Sequence, residues 1–378
     1  MPCLNEADTL AVCIAKARRV FREQGVAGEV IVADNGSVDG SREIALGLGA
    51  RVVDVAEKGY GHALMGGIAA ARAPFIIMGD ADDSYDWREI PSFLAKLREG
   101  YDLVQGCRLP SGGGRVMPGA MPWLHRWWGN PMFSLMVRQM FRAPINDVNC
   151  GMRGFTKAHY ERLGQRCTGM EFAVEMIVKS RLYGARIAET PITLHPDGRQ
   201  AHAPHLRTFR DGWRTLRFFL LYSPRWLFLY PGLALMLVGL GVGLALSFGP
   251  VSWGRVTFDI QTLLYAAVAV ILGFQAVNFA VFTKLFAINE GLLPEDERLT
   301  RAFRYIRLET GLLTGAVLLL SGLVLSVLAV KVWENNAFGP LDSSRTMRLV
   351  IPGVTALTLG CQTILSSFFL SVLGLKRR

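Results

Sequence analysis

The chain has 378 residues, of which 51% are hydrophobic and 19% are charged, and its 41 basic and 31 acidic side chains give a formal net charge of +10. So many apolar residues exclude an intrinsically disordered chain, which would be poor in them. Charged residues make up roughly 25% of a typical soluble protein, so their low share here disfavours a wholly soluble protein and indicates a soluble domain joined to a membrane domain.

Residues 1–204 alternate short apolar runs with helical stretches. The runs predicted as buried strands are 29–33, 51–55, 75–79 and 102–106. The stretches predicted as helices are 6–22, 38–48, 61–72 and 86–98. This order is typical of an α/β domain with a mainly parallel sheet covered by helices. Ligands of such sheets bind at the carboxyl ends of the strands, where Asp34, Asp80 and Asp82 are found.

The pattern changes twice after this domain. Residues 205–223 repeat apolar side chains at spacings of three and four, with arginines mostly off that stripe. This predicts an amphipathic helix in the lipid headgroup layer, the alternative being a surface helix packed on the domain. Four apolar runs follow, each long enough to cross about 30 Å of hydrocarbon. They predict a transmembrane domain at 224–378, with spans near 224–248, 262–283, 311–330 and 349–375.

The charges between the spans predict an orientation. Basic residues are frequent in the loop 284–309 and in the tail 376–378, whereas the loop 247–261 carries only Arg255. Because basic loops stay in the cytoplasm, the α/β domain and both termini are predicted to be cytoplasmic, at the plasma membrane. Residues 1–25 contain no apolar stretch typical of a signal peptide, and the six cysteines show no Cys-x-x-Cys pair, which agrees with a reduced compartment.

Two further stretches are open to alternative interpretations. Glycines in the first span, Gly232, Gly239, Gly241 and Gly243, suit close helix packing and would allow a homo-oligomer through the transmembrane helices. Residues 117–141 are rich in Trp and Phe, which either face the membrane near a ligand or form the core of a helix. Nothing in the chain predicts a nucleic-acid partner.

The strongest local signal is the acidic pair Asp80 and Asp82, directly after a predicted strand. Two carboxylates on one turn at a strand end can hold Mg²⁺ or Mn²⁺, which prefer oxygen ligands and bridge phosphates. The Asp-x-Asp pattern is short and common by chance, so its position after a strand is stronger evidence than the pattern itself. The alternative is a solvated acidic turn without a ligand. The segments 2–6 and 34–37 taken alone could be a helix cap and a turn.

Taken together and in this order, these three segments resemble the nucleotide-sugar domain of family-2 glycosyltransferases, which have the GT-A fold. The resemblance covers roughly residues 1–205. Further matching segments are 58–63, 105–108, 150–155, 171–175 and 189–192. Within that family the chain resembles polyprenyl-phosphate (dolichyl-phosphate) hexose synthases with a GtrA-like four-span membrane domain.

The resemblance implies inverting transfer of a hexose from a nucleoside diphosphate sugar to a polyprenyl phosphate, either dolichyl or undecaprenyl phosphate. Asp80 and Asp82 would bind Mg²⁺ or Mn²⁺ and, with Arg108, form the catalytic set. The residues expected around the donor are Pro2, Leu4, Asn5, Glu6, Asp34, Ser37, Lys58, Asp80, Ala81 and Asp82.

An acceptor phosphate changes the chemistry that the site must provide. A phosphate monoester is mostly dianionic at neutral pH and needs no strong general base. It needs positive charge, and the arginine fork matches phosphate oxygens. The arginines expected at the acceptor phosphate are Arg108, Arg126, Arg153 and Arg199, with Arg207 as a further candidate.

Two departures from the family pattern and two rival functions complete the interpretation. The family has a strand before the segment 2–6, so we expect either a first strand missing from the sheet or an incorrectly assigned start. Ser84 stands where relatives often have a larger polar side chain.

A processive polysaccharide synthase would carry a Q-x-x-R-W motif, which is absent. A lipid-linked sugar flippase or scaffold with an inactive catalytic domain would normally have lost the acidic pair, and its spans would carry charge.

Overall fold

The computed structural model describes residues 1–199, 208–296, 299, 301 and 307–374. The chain forms two compact units, Met1–Phe219 and Leu220–Arg378. The division between them falls inside a helix, Thr208–Tyr222. The predicted first turn of that helix, with Arg207, and the tail 375–378 lie outside the described residues.

The first unit is built on short strands. In chain order they are β1 (Pro2–Cys3), β2 (Ile31–Asp34), β3 (Arg51–Asp54), β4 (Phe75–Met78), β5 (Leu103–Cys107), β6 (Arg115–Val116), β7 (Arg153–Thr156), β8 (Ile187–Pro191) and β9 (Thr193–Leu194). Strands β1, β2 and β3 pair in parallel in that order. The order β4-β7-β5-β8 forms a second sheet, in which only β7 runs antiparallel to its neighbours. The predicted α/β fold with a mainly parallel sheet is confirmed.

The segment 2–6 itself begins with a two-residue strand, β1. Pro2 and Cys3 pair with Ala33 and Asp34 of β2, and the Met1 amine donates to the Ile31 carbonyl at 3.0 Å. Burial lowers the pKa of that amine to about 6. Beside this short strand lies an apolar cavity of about 370 Å³ lined by residues of β2 and β4.

Helices cover the sheet because their apolar residues recur on one face. They are α1 (Leu10–Glu23), α2 (Ser41–Gly47), α3 (Tyr60–Ala70), α4 (Ile90–Arg98), α5 (Asn130–Phe141), α6 (Lys157–Leu163), α7 (Phe172–Leu182) and α8 (Thr208–Tyr222). In α1, for example, Leu10, Ile14 and Ala17 are buried at helical spacing. They join the core around Phe93 and Val104, which leaves the carboxyl ends of the strands for polar side chains.

The second unit contains four helices, among its described residues, that are long and apolar enough to cross a membrane. The first begins as a π-helical turn at Arg225–Leu229 and continues as α9 (Tyr230–Ser247), and the others are α10 (Ile260–Asn289), α11 (Leu308–Asn335) and α12 (Ser343–Gly374). A hairpin of β10 (Val251–Trp253) and β11 (Val256–Phe258) joins the first two. The prediction of four long apolar helices is confirmed, and most of these helices extend beyond the bounds predicted for the spans.

Glycines bring these helices into close contact in pairs. A Cβ on Gly273 of α10 would lie 2.6 Å from the carbonyl oxygen of Gly232 in α9, and one on Gly322 of α11 would lie 2.7 Å from that of Gly353 in α12. Of the four glycines noted in the first span, Gly232 and Gly239 make such contacts, whereas Gly241 has no neighbour within 4 Å. The small residues therefore pack helices within this chain.

Candidate active site

The acidic turn after β4 is held by several hydrogen bonds. Thr9 Oγ1 donates to the Ala81 carbonyl at 2.7 Å. The Asp82 carboxylate accepts from the backbone N–H and the hydroxyl of Ser84, at 3.1 and 2.6 Å. Tyr60 Oη donates to Asp80 Oδ1 at 2.9 Å. Asp83 takes a left-handed conformation, with φ of 60°, and pairs with Lys16 at 2.7 Å. The turn therefore separates Asp83 from the pair Asp80 and Asp82.

A single arginine bridges the acidic residues of this site. Arg199 donates to both carboxylate oxygens of Glu6, at 2.7 and 2.8 Å, and to Asp197 at 2.8 Å. Its Nη2 also lies 3.3 Å from Asp82 Oδ2. Burial and the negative charge of Asp82 raise the pKa of Asp80 to about 6. The site is thus rich in carboxylates and is stabilised by positive charge.

The donor atoms of this site fit a divalent cation that is shared with a substrate. Among the residues that the structure describes, no group of three His, Cys, Asp or Glu side chains could hold a metal ion alone. Mg²⁺ commonly binds one or two carboxylates and takes its other ligands from substrate phosphates and water. The Asp80 and Asp82 carboxylates match that arrangement. Burial and the charge of Asp82 raise the pKa of Asp80, and a cation would favour the charged form of both carboxylates.

The predicted donor residues lie around the carboxyl ends of β1 and β2. Asp34 is 2% exposed, and its carboxylate accepts from the backbone N–H of Gly36 and of Ser37 at 3.1 and 3.2 Å. Ser37 Oγ accepts from the Asn5 N–H at 2.9 Å. Lys58 Nζ donates to the Asn35 carbonyl at 2.5 Å. These hydrogen bonds bring Asn5, Asp34, Ser37 and Lys58 together in one polar cluster.

The remaining donor residues occupy less polar positions. Pro2 and Ala81 are buried, Leu4 is half-buried, and Glu6 accepts from Arg199. Arg199 therefore connects Glu6 with Asp82 of the acidic turn.

Arg108 follows β5 and is held in a buried ion pair. Its Nε and Nη2 donate to the two oxygens of Asp147 at 2.7 and 2.8 Å, and its backbone N–H donates to Oδ2 at 3.0 Å. Although burial opposes the charge, Asp147 raises the pKa of Arg108 well above its ordinary value. Arg108 Nη1 also reaches the hydroxyl of Tyr85 at 3.4 Å, which accepts from the Gly151 N–H at 2.8 Å.

The position of Arg153 corrects its predicted role at the acceptor. It is 0% exposed in β7, and its guanidinium donates to the carbonyls of Ala173 and Cys150 at 2.5 and 2.6 Å. Burial lowers the pKa of this arginine from its ordinary value. A side chain enclosed by backbone carbonyls does not fit a ligand for a lipid phosphate, so Arg153 is left out of the acceptor site.

Arg126 lies instead on an aromatic surface of the first unit. It belongs to a π-helical turn, His125–Gly129, and stacks 5.5 Å from the Trp127 ring. Trp123, Trp127 and Trp128 are each more than 60% exposed, whereas Phe141 is buried. The Trp side chains of this stretch therefore face outward, and Phe141 belongs to the core.

The helix α8 lies against this aromatic stretch. Phe133 and Phe141 pack on Phe219 of α8, with ring centroids 6.1 and 5.9 Å apart, while Phe209 and Trp213 of α8 are exposed. The predicted amphipathic helix thus has a buried face on the domain and an exposed aromatic face.

Sequence reasoning missed three residues that shape the site, Tyr60, Tyr85 and Asp147. Tyr60 lies inside the segment 58–63, but the resemblance to the family implies no role for it. Asp147 lies 39 positions from Arg108, and no local pattern connects them. The signal that could have found it is the need of a buried arginine for a carboxylate partner.

The fold and the site define a class of protein. A mainly parallel α/β domain of GT-A type carries paired carboxylates at a strand end, and four apolar helices follow it. The chain belongs to glycosyltransferase family 2. Residues 1–164 match the model of glycosyl transferase family 2, and residues 281–374 match that of the glycosyltransferase family 2 C-terminal transmembrane region. It is a membrane protein and an enzyme of that family.

Relatives of known name agree with this membership. The chain is 35% identical to the low-salt glycan biosynthesis hexosyltransferase Agl6 of Haloferax volcanii, over 99% of this chain and 88% of that protein. It is 32% identical to a dolichyl-phosphate hexose transferase of the same organism, over 51% of this chain and 79% of that protein. Among solved structures, it is 19% identical to glucosyl-3-phosphoglycerate synthase from Mycobacterium tuberculosis in complex with Mn²⁺ and uridine-diphosphate, over 59% of this chain and 77% of that chain, with a TM-score of 0.47.

Proposed function

We propose that this enzyme transfers a hexose, with inversion, from a nucleoside diphosphate sugar to the phosphate of a polyprenyl phosphate at the cytoplasmic face of the plasma membrane. The observation that carries the proposal is the acidic pair Asp80 and Asp82 at the end of β4, together with the polar cluster of Asn5, Asp34 and Ser37 at the ends of β1 and β2. The relative named dolichyl-phosphate hexose transferase supports a hexose donor and a lipid phosphate acceptor.

The donor side of the site would hold the base, ribose and diphosphate along the sheet edge. Asn5, Asp34, Ser37 and Lys58 would line the nucleoside pocket, where the hydrogen bonds among them keep the polar cluster rigid. Asp80 and Asp82 would bind Mg²⁺ or Mn²⁺, which when bound neutralises charge on the departing diphosphate. The turn holds both carboxylates in place before the donor arrives, because Ser84 and Tyr60 already donate to them.

The acceptor side requires positive charge rather than a base. Arg108 is held by Asp147 at a fixed place and orientation, so it contributes a preorganised positive charge to the site. Arg199 is bound to the acidic residues beside the metal site, and Arg126 is half-exposed on the aromatic surface. We assign the acceptor phosphate to the positive charge of these three arginines, which would attract its oxygens to the site.

The membrane side of the proposal is supported by the outward-facing aromatic residues. Trp127, Trp128 and Trp213 are exposed on two packed elements of the first unit, and such side chains favour the membrane–water interface. A lipid phosphate lies at that same depth. The basic loop between the second and third spans supports a cytoplasmic orientation.

The test is a transfer assay with the purified full chain in detergent. Undecaprenyl or dolichyl phosphate, Mg²⁺ or Mn²⁺, and a panel of uridine and guanosine diphosphate sugars are supplied, and lipid-linked sugar is measured by mass spectrometry. We expect one donor to give a polyprenyl phosphate hexose and Asp82→Asn to lower its formation by about 100-fold or more.

The matched control is Asp83→Asn, one residue further along the same turn. Asp83 pairs with Lys16 instead of facing the acidic pair, and asparagine accepts its left-handed conformation, so activity should stay within about twofold of the wild type. Folded protein that makes no lipid-linked product from any donor would refute the proposed function. Equal losses in both variants would refute the role of Asp82.

A further inference from the structure

Tyr60 occupies the first position of α3, where two glycines fix the backbone. A Cβ on Gly59 would lie 2.6 Å from the Thr168 carbonyl oxygen, and a Cβ on Gly61 would lie 2.6 Å from that of Cys167. The Gly61 N–H donates to the Thr168 carbonyl at 2.9 Å. Because only glycine allows this approach, the start of α3 is fixed against the segment before α7. The Tyr60 side chain therefore extends from a fixed backbone position.

The Tyr60 hydroxyl donates to one oxygen of the Asp80 carboxylate, and the backbone of Gly151 lies close to the other oxygen. Oη donates to Asp80 Oδ1 at 2.9 Å. On the opposite side, a Cβ on Gly151 would lie 2.8 Å from Asp80 Oδ2 and 3.1 Å from the Tyr85 ring. The carboxylate is therefore confined between a hydrogen-bond donor and the Cα of Gly151, which restricts its rotation about the Cβ–Cγ bond.

The other carboxylate of the pair, that of Asp82, is oriented by a different hydrogen-bond donor. Asp82 accepts from Ser84, two positions along the same turn, whereas Asp80 has its donor on a separate helix, 20 positions earlier. The two carboxylates are thus aimed independently, and the direction of Asp80 depends on a side chain outside the acidic turn.

We propose that Tyr60 is a positioning residue that orients the Asp80 carboxylate for binding a divalent cation. The inference rests on the proposed function, since it assigns the cation to the pair Asp80 and Asp82. Groups that hydrogen-bond to metal ligands fix their direction, and their removal typically lowers metal affinity by about 10- to 100-fold. In this role Tyr60 acts through the Asp80 carboxylate.

The test compares Tyr60→Phe with Tyr101→Phe as a matched control. Both changes remove one hydroxyl and keep the ring, but Tyr101 precedes β5 at the opposite end of the sheet and lies under Arg186, 4.9 Å from its ring. Mn²⁺ binding to the full chain is measured by electron paramagnetic resonance, alone and with uridine or guanosine diphosphate. We expect Tyr60→Phe to raise the Mn²⁺ dissociation constant by about 10- to 100-fold and Tyr101→Phe to leave it unchanged.

Two further readouts separate positioning from a merely structural role. In Tyr60→Phe, excess Mn²⁺ should restore most of kcat because the defect is in metal affinity, and the melting temperature should match that of Tyr101→Phe. Gly151→Ala should reproduce the metal defect, since its Cβ would displace Asp80 Oδ2 from the other side.

The possible results distinguish this inference from the proposed function. An unchanged Mn²⁺ dissociation constant in Tyr60→Phe, with tight Mn²⁺ binding by the wild type, would overturn the role of Tyr60 alone. Failure of the wild-type protein to bind Mn²⁺ in any of these conditions would overturn both the metal site and its positioning residue.

Discussion

The buried ion pair between Arg108 and Asp147 gives a prediction whose size follows from the structure. The side chains are 9% and 0% exposed, and three hydrogen bonds of 2.7 to 3.0 Å connect the residues. Asp147→Asn keeps the shape and one acceptor oxygen but removes the negative charge. The guanidinium of Arg108 then stays buried without a counter-charge, which costs about 3–5 kcal/mol in a buried pair.

The assay is thermal unfolding of the purified protein, read by a signal from the first unit. For a unit of the size of Met1–Phe219, each kcal/mol lowers the melting temperature by about 2–4 °C. A loss of about 3 kcal/mol therefore predicts a decrease of about 6–12 °C. The transfer rate should also fall, because Arg108 loses the bidentate contact that fixes its direction.

Two variants make this reasoning refutable. Asp83→Asn breaks the ion pair with Lys16, whose side chains are each 26% exposed, and should cost less than about 1 kcal/mol. The double variant Arg108→Met with Asp147→Leu should recover much of the stability and none of the activity, because well-packed apolar residues often replace a buried pair at little cost. If Asp147→Asn melts within 2 °C of the wild type, the buried charge of Arg108 does not depend on Asp147.

Two more predictions concern the core and the spans. Arg153→Met should lower the melting temperature by several degrees, because the guanidinium of Arg153 donates to backbone carbonyls in the core. The KM for polyprenyl phosphate should stay within about twofold of the wild type. A large rise in that KM without a change in melting temperature would show that Arg153 does bind the acceptor. Gly273→Leu should destabilise the second unit, because its Cβ would lie 2.7 Å from the backbone nitrogen of Met236, whereas Gly241→Leu has open space and should melt like the wild type. Equal melting of the two glycine variants in detergent would contradict the close packing of α9 and α10.

The strands that could be predicted from the sequence are those with continuous apolar runs. β2, β3, β4 and β5 were all found within two residues of their ends, because buried parallel strands need apolar side chains on both faces. β7 was not predicted, although it pairs with both β4 and β5. Its residues 153–156 read Arg-Gly-Phe-Thr, which carries little apolar signal, and its place is set by the two neighbouring strands.

The number and the approximate places of the long apolar helices could be predicted for a different reason. An apolar run of about 20 residues is itself the requirement for crossing a bilayer, so it appears directly in the chain. How the spans pair could not be predicted in the same way. Gly232 and Gly241 look equivalent in sequence, but only Gly232 meets another helix, because the crossing point depends on both partners.

The same distinction between local and distant partners explains which site residues could be placed from the sequence and which could not. Asp80 and Asp82 could be placed because a strand end positions its own following residues, and that is a local relation. The arginines look alike in sequence, yet Arg108 is held by Asp147, which is 39 positions away, and Arg199 by Glu6, which is 193 positions away. Arg153 has only backbone carbonyls around its guanidinium among the described hydrogen bonds. Whether an arginine can serve a phosphate therefore depends on which partners the fold brings to it, and a motif match to a single position carries no information about them.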